Sequence, residues 1–283
     1  MKVLIFGASG MLGAELHKQL EAQGGEVFAF DRELDITDQV QVQNKIMQLQ
    51  PEIIFNCAAY NAVDKAESEP EIAMRLNAEA AGFIAEAAEK INAITVHYST
   101  GFVFEGSNVA GYSEDASPNP QSVYAKSKYL GEQKLQQATD RFYLIRLNLL
   151  FGKQGKTETA KQSFPTMILD FAKVAKAKDH IDFITDEIST PTYAPDLAQA
   201  SIALIKEQYP FGIYHLVNEG RASWYDWAKE IFALKAIAVK INPVLAGQFP
   251  RKAQRPKCSV LINNKFPKLP SWQAATAEYL KTT

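Results

Sequence analysis

Short apolar runs alternate with longer amphipathic stretches over the first half of the chain. Residues 2–6 (KVLIF), 26–30 (EVFAF), 52–58 (EIIFNCA), 93–98 (AITVHY) and 142–147 (FYLIRL) read as five β-strands. The stretch 11–23 repeats Leu12, Leu16 and Leu20 on one helical face. Thr37 and Asp38 are candidate caps for a helix over 39–50, which Pro51 stops. A long Ala/Glu-rich helix is predicted over 70–91 and another over 122–137. Strands separated by helices imply right-handed crossovers and a parallel sheet. Fully apolar strands fit a sheet covered on both faces. The fold class is therefore α/β, a doubly wound parallel sheet. After Gly152 the rhythm loosens. A polar stretch spans 153–162, and short elements are predicted at 181–184 (strand), 196–206 (helix), 213–217 (strand) and 224–234 (helix). The proline-bearing segment 243–270 reads as loop lying over a cleft.

Composition narrows the class. Of 283 residues, 47% are apolar and 22% charged, an ordinary globular profile. Thirty Lys and Arg balance 32 Asp and Glu, giving a net charge of −2. That balance offers no overall attraction to nucleic acid or to an anionic membrane. No apolar run approaches the ~18 residues of a membrane helix. The opening run is too short for a signal sequence. These features point to a cytoplasmic protein. Cys57 lies inside an apolar run far from Cys258 in sequence, which suggests a buried, reduced thiol. His17, His180 and His215 show no ligand spacing, so no metal is assigned. His97 lies in a strand and reads as structural.

Chemistry concentrates at two places. Gly7-Ala8-Ser9-Gly10-Met11-Leu12-Gly13 is a G-x-x-G-x-x-G turn between the first strand and the first helix. The first glycine allows the tight turn, the second lets backbone N–H groups approach a pyrophosphate, and the third permits close packing of helix on strand. Gly7, Ser9, Gly10, Met11, Leu12 and Gly13 are thus candidate cofactor contacts. The second strand ends at Asp31-Arg32. A carboxylate there suits the ribose of NAD(H), and a guanidinium suits the 2′-phosphate of NADP(H), so both cofactors stay open. Asp35 and Ile36 could border the adenine. Ala58 and Ala59 leave room for a cofactor at the third strand end, with Tyr60 following. Residues 1–152 form the expected dinucleotide-binding Rossmann domain. Residues 153–283 form mostly a smaller C-terminal substrate-binding cap, with some segments returning to the Rossmann sheet.

The second place is Tyr124-Ala125-Lys126-Ser127-Lys128. Tyr124 and Lys128 share one helical face. A free tyrosine, with a pKa of ~10, is a poor proton donor near neutrality. A neighbouring ammonium stabilises the phenolate and lowers that value. Lys128 can also hold a cofactor ribose. The fourth strand runs on into Ser99-Thr100, whose hydroxyls could meet a substrate carbonyl. Thr100, Tyr124 and Lys128 are the candidate catalytic set. Arg251, Lys252, Arg255 and Lys257 cluster in the late loop, either as solvated residues or as a pyrophosphate clamp.

Taken together, these motifs resemble the extended short-chain dehydrogenase/reductases, and within them the dTDP-4-dehydrorhamnose reductase family. The likeness includes Leu34-Asp35-Ile36-Thr37-Asp38, Ala62 to Glu67, Asn77, His97-Tyr98-Ser99-Thr100, Val103 to Gly106, Tyr124 to Lys128 with Gly131-Glu132, Pro191-Thr192, Tyr214 to Val217 and Arg255-Pro256. It implies reduction of the 4-keto group of a dTDP-linked 6-deoxy sugar to give dTDP-L-rhamnose. By the same resemblance, Val63, Glu67, Thr100, Gly101, Phe102, Leu149 and Arg255 border that nucleotide-sugar substrate. Two features depart from the family pattern. Asp-Tyr is usual where Gly101-Phe102 stand, and Trp is usual at Leu149. A magnesium-linked dimer is described for some members. Glu15 matches one acidic ligand there, but Pro195 replaces another. A homodimer stays open as a partner. Two other functions stay open: an epimerase or reductase of a different nucleotide sugar, and a non-catalytic cofactor-binding subunit like the methionine adenosyltransferase beta subunit.

Overall fold

The computed structural model describes residues 1–155, 162–174 and 180–282. Five predicted strands lie where the apolar runs place them: β1 (Lys2–Phe6), β2 (Glu26–Phe30), β3 (Ile53–Asn56), β4 (Ile94–Thr100) and β5 (Phe142–Leu147). Four short strands follow: β6 (Leu150–Phe151), β7 (Ile181–Ile184), β8 (Ile188–Ser189) and β9 (Thr192–Tyr193). They precede β10 (Gly212–His215), β11 (Ala222–Ser223) and β12 (Ile241–Val244). The main sheet has six parallel strands in the order β10-β5-β4-β3-β1-β2. The chain first moves outward from β1 to β2, then crosses back to β3 on the other side of β1. This reversal opens a crevice at the carboxyl ends of β1 and β3, the usual ligand position in such sheets.

Helices cover both faces. On one face, α1 (Met11–Ala22) presents Leu12, Leu16 and Leu20. Beside it α8 (Ala194–Lys206) presents Leu197 and Ile202, and both rows pack on Val3, Ile5 and Phe55. On the other face α2 (Gln39–Leu49) contributes Ile46, and α5 (Ala80–Lys90) contributes Ile84, against Leu4, Phe6 and Ile54. Each such fully buried aliphatic side chain stabilises the fold by ~1.5–3 kcal/mol relative to exposure. Asp38 caps α2 by accepting from the Val40 and Gln41 N–H groups at 2.9 and 3.1 Å. Gln50, in the left-handed region at φ 50°, ends that helix before Pro51.

The long helix predicted over 70–91 is interrupted. After the short α3 (Val63–Ala66) come α4 (Pro70–Met74), one π turn at Arg75–Glu79, and then α5. The wider turn aims Asn77 inward. Its Oδ1 accepts from the Tyr60 N–H at 2.8 Å, and its Nδ2 donates to the Ser127 hydroxyl at 2.9 Å. Hydrogen-bond geometry of this kind leaves no trace in hydrophobic periodicity, which is why the interruption is invisible in the sequence.

Beyond β5, a second aromatic core joins Phe151, Tyr193, Trp227 and Tyr279. It unites α9 (Trp224–Leu234) with two helices that the sequence reading did not assign, α7 (Phe164–Val174) and α10 (Trp272–Lys281). Trp227 is almost wholly buried there. Most of 243–270 is loop, although β12 opens it and pairs in parallel with β7. Most of the polar stretch 153–162 lies outside the described residues.

Candidate active site

The glycine turn sits at the crevice as expected. Gly7 adopts φ +76°, and a β-carbon there would lie 2.6 Å from the Ala58 nitrogen. Gly13 packs so closely on the Gly7 carbonyl that it tolerates no side chain; its β-carbon would also lie 2.8 Å from the Ala8 Cα. Gly10 differs. It is the N-cap of α1 at φ −70°, a conformation open to any residue, and its β-carbon would meet only the Gly7 carbonyl, at 3.2 Å. Gly7 and Gly13 are thus required by the fold, whereas Gly10 is less constrained: its β-carbon would press only on the Gly7 carbonyl, and it stands at the N-terminus of α1. A phosphate would find partial positive charge there. The turn fits a dinucleotide.

Asp31 lies beside this turn, and one of its oxygens accepts from the Ser9 N–H at 3.0 Å. Part of its capacity thus holds the loop. Asp35 is turned onto its own segment, accepting from the Thr37 N–H and hydroxyl at 2.9 and 2.8 Å. Ile36 is buried in the core beneath. Ala58 and Ala59 follow β3 at the crevice. Tyr60 is fixed by Asn77 and donates its hydroxyl proton to Glu69 at 2.7 Å. Cys57 is half-buried at the end of β3, less enclosed than its apolar run suggests, and neither cysteine is in a disulfide.

The candidate catalytic residues lie on two neighbouring elements. Helix α6 (Val123–Ala138) carries Tyr124 and Lys128. Ser122 caps it, accepting from the Ala125 N–H at 3.2 Å, and Glu67 accepts from the Val123 N–H at 2.8 Å. Glu67 therefore anchors the start of the helix that holds Tyr124. Thr100 ends β4, and its hydroxyl lies close enough to the Tyr124 phenol to favour the phenolate. Phe102 meets the Tyr124 ring edge-on at 6.1 Å, and Val63 packs in the same apolar cluster. Burial pushes the Tyr124 phenol up to about 12, opposed by the nearby Thr100 hydroxyl. The expected depression by Lys128 is absent here, because the Lys128 ammonium turns to the Tyr98 carbonyl at 2.6 Å. Burial lowers Lys128 to about 8, partly offset by the Glu132 carboxylate one turn further along the helix. Below that pH the lysine remains a cation.

Other residues carry this arrangement without being evident as site residues. A β-carbon on Gly131 would strike the Asn77 carbonyl, so α6 and the π turn approach closely. Glu132 forms a buried, two-bond ion pair with Arg146 of β5. Asn148 accepts from the Gly101 N–H at 3.0 Å. His97, fully enclosed, meets Asn56 Nδ2 at 3.1 Å, as a structural histidine should. Leu149 stands at φ 40° and packs toward the aromatic core.

The basic loop is occupied by the chain's own acids. Arg255 donates to both oxygens of Asp64, at 3.0 and 2.6 Å, and holds that carboxyl down at about 2. Arg251 pairs with Glu187. Arg255 therefore straps the late loop to the segment after β3, in which Val63 and Glu67 also lie. Glu15 and Pro195 are neighbours, bridged by Gln19, which donates to both. Among the described residues no cluster of three acidic, His or Cys side chains is placed to hold a metal. No described helix is long and apolar enough to cross a membrane.

The sequence model of the RmlD substrate binding domain matches residues 1–283. The chain belongs to the RmlD family. A dTDP-4-dehydrorhamnose reductase of Streptomyces griseus is 35% identical over 98% of this chain and 89% of its own length. Among solved structures, a dTDP-4-dehydrorhamnose reductase from Clostridium acetobutylicum is 35% identical, covers 100% of this chain and 99% of its own, and superposes with a TM-score of 0.93. The Bacillus anthracis enzyme of the same name, in complex with NADP, is 34% identical over 100% of this chain and 99% of its own, also with a TM-score of 0.93. The resemblance read from the motifs thus extends over the whole chain, and with it the Rossmann-like fold.

Proposed function

We propose that this RmlD-family chain is an NADPH-dependent reductase of a dTDP-linked 4-keto-6-deoxy sugar, with dTDP-4-dehydrorhamnose as the substrate. The observation that carries the reading is Tyr124 and Lys128 one turn apart on α6, with the Thr100 hydroxyl beside the Tyr124 phenol. The glycine turn and Lys128 would hold the dinucleotide. Asp31 engages the Ser9 N–H, and Arg32 follows it, which supports NADPH over NADH. The Bacillus anthracis relative, solved with NADP, supports the same choice.

The nicotinamide supplies a hydride to the carbonyl carbon when bound. Tyr124 gives its phenolic proton to the carbonyl oxygen, so that C=O becomes CH–OH. Thr100 orients that oxygen, and its hydroxyl favours the phenolate left behind. Lys128, cationic below about pH 8, adds a charge that favours the same phenolate once its ammonium leaves the Tyr98 carbonyl. Val63 and Phe102 wall the phenol with apolar surface. Val63, Glu67, Gly101, Phe102, Leu149 and Arg255 make up the proposed sugar-nucleotide side.

The test is loss of NADPH absorbance with dTDP-4-dehydrorhamnose, repeated with Tyr124→Phe. Turnover should fall by ~10²–10⁴, the usual contribution of a general acid, with NADPH binding retained. NADPH binding without turnover of any dTDP-4-keto sugar would favour a regulatory subunit.

A further inference from the structure

Gly101 and Asn148 occupy one space. A β-carbon on Gly101 would lie 2.6 Å from the Asn148 Oδ1 and 2.9 Å from its Cγ. That Oδ1 instead accepts the Gly101 N–H at 3.0 Å. The other end of the amide donates to the Ser259 carbonyl at 2.5 Å. Ser259 is bonded in turn to β8, through its N–H to the Ile188 carbonyl at 2.9 Å and its hydroxyl to Ser189 at 2.9 Å. The Asn148 side chain is 3% exposed. One buried amide therefore spans the residue directly after Thr100 and the late segment that crosses β8.

We propose that Asn148 is a positioning residue for Thr100, that it couples the 258–261 segment to the catalytic strand end, and that Gly101 and Asn148 can change only together. The proposal rests on the reductase reading for its kinetic consequences. Thr100 is the last residue of β4, and the turn after it starts at Gly101. The Gly101 N–H bond fixes where that turn begins. The Thr100 hydroxyl also accepts the Phe102 N–H at 3.2 Å, so the hydroxyl and the turn move as a unit. Losing the Asn148 acceptor frees the turn and lets the Thr100 hydroxyl shift from its place beside the phenol. Losing the Asn148 donor frees Ser259. A side chain at 101 does both, by displacing the amide.

The experiment is a four-cornered comparison of the parent, Gly101→Ala, Asn148→Ser and the double variant, with Asn148→Ala alongside. Each is read for kcat, KM, NADPH affinity and melting temperature. Gly101→Ala and Asn148→Ala are expected to lower kcat by about tenfold to a hundredfold, the scale of a small misplacement at a reacting group. NADPH affinity should not change, because the glycine turn is untouched. Asn148→Ser should restore kcat in the Gly101→Ala background, since the smaller hydroxyl leaves room for the methyl and can still accept the N–H. A Gly101→Ala variant as fast as the parent would overturn the proposal. So would additive effects in the double variant, or a lower melting temperature with kcat unchanged. Should the parent not turn over dTDP-4-dehydrorhamnose, the reductase reading fails separately. The positioning role is then read from 3-fluorotyrosine placed at 124, by ¹⁹F NMR titration. Its ionisation should move to higher pH in Asn148→Ala as the Thr100 hydroxyl, which favours the phenolate, shifts away, and an unmoved titration would overturn the proposal.

Discussion

Arg146 grips both oxygens of Glu132, Nε at 3.0 Å and Nη2 at 2.6 Å, and neither side chain is more than 2% exposed. The pair ties α6 to β5 directly beneath the site. Two opposite charges at this depth offset each other's desolvation, but neither is tolerated alone. Arg146→Met should therefore cost ~3–5 kcal/mol by stranding the Glu132 carboxylate. The double change Arg146→Met with Glu132→Leu should recover much of that loss. Urea unfolding of the three proteins checks it. A double variant no more stable than Arg146→Met would mean that the pair acts by shape and not by charge.

Glu132 also bears on Lys128 and hence on pH. Lys128 falls from 10.5 to about 8 on burial. Between those values the unfolded chain holds a proton that the folded chain has released, so Lys128 adds stability as pH rises, most clearly below about pH 9, where the buried Cys57 thiol does not yet oppose it. Activity should move the opposite way, because the cation that favours the Tyr124 phenolate is lost above about pH 8. Glu132→Gln removes the charge that supports the ammonium, and should bring the alkaline fall in kcat/KM to lower pH. Lys128→Met should abolish the rise in stability. A pH–rate profile and melting curves taken together test this. An alkaline fall left in place by Glu132→Gln would detach Lys128 from Glu132.

Those carboxylate–lysine relations show what the sequence could and could not reveal. The glycine turn, Thr100, Tyr124 and Lys128 were legible because each is a residue type at a fixed spacing on a periodic element. The five apolar strands were legible because parallel strands are buried on both faces. Arg255 was legible as a basic residue of the late loop, but its pairing with Asp64 joins positions far apart in sequence and follows only from the fold. The π turn that aims Asn77, and the space shared by Gly101 and Asn148, depend on distances of a few tenths of an ångström, which no hydrophobic pattern encodes. Helices α7 and α10 were missed because their apolar faces sit among prolines and aromatics, which weakened the period.

Two enclosed histidines set the acid limit. Burial lowers His215 to about 3, with the Arg146 charge adding to the effect, and burial holds His97 well below its ordinary value. Below about pH 6.5 the unfolded chain takes up these protons and the folded chain does not. Stability is therefore lost as pH falls, by ~1.4 kcal/mol per pH unit for each histidine. Melting temperature should drop steeply between about pH 6.5 and 5, ahead of the ordinary carboxylate range. His215→Gln should remove about half of that slope. A flat melting temperature across the window would show that water reaches one or both rings.

The glycine turn allows folding and cofactor binding to be separated. Gly13 has the Gly7 carbonyl against it, and Gly7 is left-handed with the Ala58 nitrogen 2.6 Å from its would-be β-carbon. A side chain at either position strains β1, α1 or β3 whether or not a cofactor is present. Gly10 is less constrained, because its φ of −70° suits any residue and its β-carbon would press on only one atom, the Gly7 carbonyl oxygen at 3.2 Å, which must give by a few tenths of an ångström. A valine there projects toward the space at the head of α1 that a pyrophosphate would fill. Gly13→Ala should accordingly lower the melting temperature of the cofactor-free protein, with a cost of ~1–3 kcal/mol for overpacking. Gly10→Val should leave that melting temperature near the parent's while abolishing NADPH binding in calorimetry. Arg32→Ala, in the same assay, should weaken NADPH more than NADH, since only NADPH carries the 2′-phosphate that a guanidinium holds. Retained NADPH affinity in Gly10→Val would move the pyrophosphate away from this turn, and equal losses for the two cofactors in Arg32→Ala would take Arg32 out of the choice between them.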